Sequence, residues 1–96
     1  MFTAKGSVAT NEHGVVIRVT PRDWVEYRID DHVLHIPCEG TVDETGYPTG
    51  ETVYLSLVKS WEDPYGNESI DQQALNKIKS DLIEAFGALK FGLQLA

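Results

Sequence analysis

The sequence predicts an α+β domain: an antiparallel, twisted β-sheet of about five strands, with one main amphipathic helix in the C-terminal half packed on a face. Three observations carry this. Alternating or β-branched apolar runs recur between residues 14 and 61, as strands require. After residue 71 apolar residues repeat at steps of three and four, as a helix requires. A chain of 96 residues has room for one core, so residues 1–96 are read as a single domain.

The elements follow in order. "GVVIRVT", residues 14–20, is a strand that stops at Pro21, which has no N–H to give to a ladder. "WVEYRI", 24–29, reverses through Asp30-Asp31 into "HVLHIPCE", 32–39, and the two read as a hairpin. In its second arm Leu34, Ile36 and Cys38 share one face, Val33 and His35 the other, and Pro37 marks an edge or bulge. Residues 40–50, "GTVDETGYPTG", are dense in glycine, proline and acids and read as a long loop. "TVYLSLVKSW", 52–61, reads as the longest strand, with Val53, Leu55 and Leu57 facing the core. Ser69 and Gln72 form an S-x-x-Q capping box, and Leu75, Ile78, Leu82, Phe86 and Leu89 make the buried stripe of the helix. Gly87 offers a stop, after which "LKFGLQL", 89–95, switches to period two and predicts a last strand.

Charge is unevenly placed. The formal net charge is -7, yet the basic and acidic groups of residues 1–37 and 72–96 taken together cancel. Between Cys38 and Asp71 stand Glu39, Asp43, Glu44, Glu51, Glu62, Asp63, Glu68 and Asp71 against Lys59 alone. Such a segment repels nucleic acid and membrane surfaces and attracts basic partners. No apolar run approaches the roughly 20 residues of a membrane span. The start "MFTAKGSVATNEHG" has no apolar block of signal-peptide length, and the lone Cys38 suits a reducing compartment, so the expected location is cytoplasmic.

Motifs of catalysis are weak. His32, His35 and Cys38 have a metal-like composition, but a spacing of three on a strand sends neighbours to opposite faces, so no metal and no cofactor is expected. The glycine-flanked acids lack the calcium-loop register, and no phosphate loop, nucleophile elbow or H-E-x-x-H occurs. No catalytic residue is assigned.

The order "YRIDDHVLHIPCE", a glycine-bearing loop, "VYLSLVKSWEDP" and "SIDQQALNKIKSDLIEAF" resembles the small immunity proteins of bacterial polymorphic-toxin and contact-dependent growth inhibition systems. There, a strand ending in a tryptophan leads through a proline-containing loop to an amphipathic helix, here Trp61, Pro64 and the stripe from Leu75; the likeness spans roughly residues 14–86. The resemblance implies a protein made beside a toxin, which binds the toxin's C-terminal domain and blocks it. Many such toxins are nucleases with basic grooves, and an acidic inhibitor suits them.

The expected partner-binding residues are therefore Glu39, Asp43, Glu44, Glu51, Glu62, Asp63 and Glu68, with Tyr47, Trp61 and Tyr65 as aromatic anchors. Trp61 is also expected to close the end of the core where strand hands over to helix. Two rivals remain open: an adaptor or homodimer that pairs an edge strand, using Pro37 and "LKFGLQL", and a small metal-dependent enzyme built on the histidines.

Overall fold

The computed structural model describes residues 1–20 and 24–96. Among these residues seven strands form one sheet in sequence order: β1 Thr3–Lys5, β2 Val8–Thr10, β3 Val15–Thr20, β4 Trp24–Ile29, β5 His32–Val42, β6 Pro48–Val53 and β7 Gly92–Leu95. A 3-10 turn at Leu55–Leu57 and the helix α1, Gln72–Leu89, lie between β6 and β7. Neighbouring strands run antiparallel except β6 and β7, which pair in parallel because α1 carries the chain back across the sheet. Pro21, expected to stop β3, lies with Arg22 and Asp23 outside the described residues.

The helix packs on β1 and β2 at one end of the strand order and on β7 at the other. Both ends of a sheet reach one helix only if the sheet curls around it. The core is the inner face of that curl: Val15, Ile17, Val25, Tyr27, Leu34, Ile36 and Val53 meet Ile78, Leu82, Ala85 and Phe86, all nearly solvent-free. Each large apolar side chain so buried contributes about 1.5–3 kcal/mol, which holds a helix that would be marginal alone.

The predicted α+β class, the hairpin 24–39 and the helix stripe match the structure, with six corrections. The sheet is mixed and has seven strands. Residues 40–50 are mostly strand: β5 runs through to Val42 and β6 begins at Pro48, leaving a short tip between them. The predicted strand 52–61 ends at Val53, where the chain turns through Leu55–Leu57, so Leu57 is 64% exposed and Val58 takes its place in the core. The helix is capped by Asp71, whose carboxylate accepts from the Ala74 N–H at 2.8 Å; Ser69 is held extended in a bridge to Ser60.

Pro37 is interior rather than an edge. Up to Pro37, β5 pairs with β4; from Cys38 onward it pairs with β6, so the missing N–H falls where the ladder changes partners. At the helix end Gly87 is passed over, and Lys90 takes the left-handed conformation at φ 56 while the Phe91 N–H closes on the Phe86 carbonyl at 3.1 Å. Among the described residues no helix is long and apolar enough to cross a membrane.

Candidate functional site

The outer face of β4 and β5 is built by a two-residue turn. Ile29 pairs with His32 across Asp30-Asp31, and this register sets Glu26 opposite His35 and Arg28 opposite Val33. Trp24 stacks on His35 with ring centroids 4.8 Å apart, and the two His35 nitrogens lie 3.6 Å from Glu26 and 3.5 Å from Glu62. The loop after the 3-10 turn is fixed to this face by the Glu62 N–H, which donates to the Val33 carbonyl at 2.8 Å.

At the end of β5 the loop closes over His32. The Tyr65 ring stacks on the imidazole at 3.8 Å, and Trp61 meets it edge-on at 5.1 Å while its other side approaches the buried Tyr27 ring at 6.4 Å. Trp61 is thus half-buried, bridging core and surface. The Tyr65 hydroxyl donates to Asp31, which holds that carboxyl below its usual range and raises the Tyr65 hydroxyl. Glu68 approaches the far nitrogen of His32 at 3.4 Å. The peptide between Asp63 and Pro64 in this loop is cis.

The other acidic group sits at the β5–β6 tip. Asp43 Oδ1 accepts from the Thr45 N–H at 2.8 Å, the Thr45 hydroxyl at 2.6 Å and the Tyr47 N–H at 3.0 Å. These bonds, the Thr45 hydroxyl first, lower its pKa and make it the brace of the turn. Around it Glu44 is exposed and Tyr47 is 71% exposed.

Glu51 differs from the rest. It shares the inner face of β6 with Val53 and is only 6% exposed. Its carboxylate lies over Gly40 on β5, where no side chain intervenes. Burial raises its pKa, and the Cys38 thiol, hydrogen-bonded to it, pulls the other way. Because the native state then holds the proton more tightly than the unfolded chain, stability falls as pH rises from the ordinary glutamate range through the raised value. Glu51→Gln should therefore be more stable than the parent chain at pH 7 and equal to it near pH 4, as read from urea midpoints at both pH values.

The family model described as Immunity protein 74 matches residues 16–95, all but the first two strands and the start of β3. The chain belongs to this immunity-protein family. Comparison with curated proteins and with solved structures gave no match.

On this immunity-family fold the expected binding residues separate. Trp61, Glu62, Asp63, Tyr65 and Glu68 gather at one end of β5; Asp43, Glu44 and Tyr47 stand at the other, with Glu39 exposed between them. A strand of 11 residues rises ~3.3 Å per residue, so the two groups lie roughly 30 Å apart. Glu51 is turned inward. Sequence reasoning missed Trp24, Glu26, Asp31, His32 and His35 as members of the same surface. The signal was present: a two-residue turn at Asp30-Asp31 fixes Glu26 against His35 by counting alone. Among the described residues no cluster of three or more His, Cys, Asp or Glu is arranged to hold a metal.

Proposed function

We propose that this chain neutralises a cognate toxin domain by protein–protein contact in the cytoplasm, using the acidic outer face along β5 and the loop that follows the 3-10 turn. One observation supports this most: of the eight carboxylates between Cys38 and Asp71, all but Glu51 are exposed, and Lys59 is the only opposing charge in that segment. The proposed partner is a basic, nuclease-type domain. Opposite potentials steer such partners together, and phosphate-binding grooves are basic by necessity.

Shape agrees with charge. A standard interface covers ~800 Å² on each partner, a small part of the 6103 Å² surface here, and the β5 face is long enough to supply it. In this reading Trp24 and Tyr65 are the anchors, with Glu62, Asp63 and Glu68 as a charged rim and Tyr47 as a second anchor at the tip. The role is binding, with no catalytic step. The test is to purify the chain with the toxin domain encoded beside its gene. A stoichiometric complex with toxin activity abolished is expected; toxin that stays active at saturating chain overturns the reading.

A further inference from the structure

We propose that the inner-face cleft over Glu51 is a receptor for one basic side chain, lysine or arginine, presented by the toxin domain. This rests on the toxin-binding reading above and adds a specific contact that the exposed acids do not provide. The cleft opens where α1 ends before it covers the whole inner face. It is bounded by Gly6 and Ser7 of the first turn, Val19 of β3, Gly40, Thr41 and Val42 of β5, Pro48, Gly50 and Glu51 of β6, and Leu89 and Phe91.

Its volume is about 450 Å³, within the ~300–1,000 Å³ of small-ligand sites and ample for a single side chain. The walls are apolar: Val19, Val42, Pro48, Leu89 and Phe91. The floor is a carboxylate. Glu51 Oε2 is buried and has no hydrogen-bond partner among the described residues, and Glu51 makes no ion pair among them. Buried polar atoms in folded proteins almost always have a partner, so this carboxylate oxygen at the base of an open cleft offers an acceptor to an incoming donor.

The chemistry selects the occupant. An anion is repelled, and a purely apolar group leaves Oε2 unpaired, which costs about as much as its burial gains. A cation on an apolar stem satisfies both walls and floor. The C-terminal end of α1, at Leu89, adds the partial negative charge of its last carbonyls to the same space. Gly40 keeps the approach open, since its place over the carboxylate holds no side chain.

The test has two arms. Isotope-labelled full chain is titrated by NMR with n-butylammonium, n-butylguanidinium and uncharged n-pentanol. Signals of Gly40, Thr41 and Gly50 should shift with the cations and not with pentanol, and the isosteric Glu51→Gln should abolish the response. Equal response to pentanol, survival of the response in Glu51→Gln, or shifts confined to the exposed carboxylates would each overturn the proposal. In the second arm, Glu51→Gln should weaken the toxin complex by about tenfold or more through faster dissociation. A complex unchanged by Glu51→Gln overturns the cleft proposal alone and leaves neutralisation standing; no complex with the parent chain overturns both.

Discussion

Gly50→Val should lower stability by about 2–4 kcal/mol, enough to take roughly 10–25 °C from the melting temperature of a domain this size. Gly50 and Gly92 face each other where β6 and β7 pair in parallel. A Cβ at Gly50 would sit 2.7 Å from the Gly92 Cα and carbonyl carbon, and one at Gly92 would sit 2.9 Å from the Thr49 carbonyl oxygen. These neighbours are backbone, so no rotamer change relieves the clash; the strands must part. With them go the bond from the Ala96 N–H to the Val53 carbonyl, at 2.9 Å, and the packing of Leu93 and Leu95 on the core. The measurement is urea unfolding of Gly50→Val beside Thr52→Val, a β-branched control on the same strand that should change stability little. Equal midpoints for Gly50→Val and the parent chain would show that β7 is not held as described.

Asp81→Ala should cost about 2–3 kcal/mol, because it leaves a buried hydroxyl without its charged acceptor. Asp81 lies on the inward side of α1, 8% exposed, and accepts from the Tyr27 hydroxyl at 2.6 Å and from the Lys77 ammonium at 2.7 Å. The Tyr27 ring is in the centre of the core, and its pKa is driven far up by burial first and by the Asp81 bond second. Tyr27→Phe should cost less, about 1 kcal/mol, since Lys77 still pairs the carboxylate. The double variant should then lose less than the sum of the two single losses. Strict additivity in denaturant would mean that this bond ties neither the helix nor the sheet.

Both predictions concern features that the sequence showed only in part. The helix stripe from Leu75 to Leu89 was readable because a 3.6-residue period is set within the helix itself. The hairpin 24–39 was readable for a similar reason, with Asp30-Asp31 marking the reversal. Strands β1 and β2 were not, since three residues each carry almost no pattern and Thr3–Lys5 is exposed throughout. Gly40 and Gly50 were read as loop glycines. They serve instead to let a carboxylate lie over one strand and another backbone approach closely, uses that depend on what lies opposite. Ser69 and Asp71 are both good caps, and only the bridge from Ser60 to Ser69 decides between them.

The candidate surface was legible as composition and not as geometry. The run from Glu39 to Glu68 is acidic in sequence, yet in space its charges lie along β5 from an aromatic end to a hairpin tip, and Glu51 faces inward. The structure also brings Arg28 to the outer face, with an Nη2 atom 3.8 Å from Glu26, so the acidity belongs to the β5 side and fades toward β3. Binding energy on such a face concentrates at a few residues. Which end dominates is therefore open to direct comparison of reversals at Glu44 with reversals at Glu62 and Asp63.

The most direct test of an electrostatic, acidic-face inhibitor is titration calorimetry of the toxin domain at low and high salt, with the parent chain and with Glu44→Lys/Glu62→Lys/Asp63→Lys. The parent affinity should fall steeply with salt, and the variant should bind weakly with a nearly flat salt dependence. Parent and variant binding equally tightly, with the same salt slope, would contradict the account.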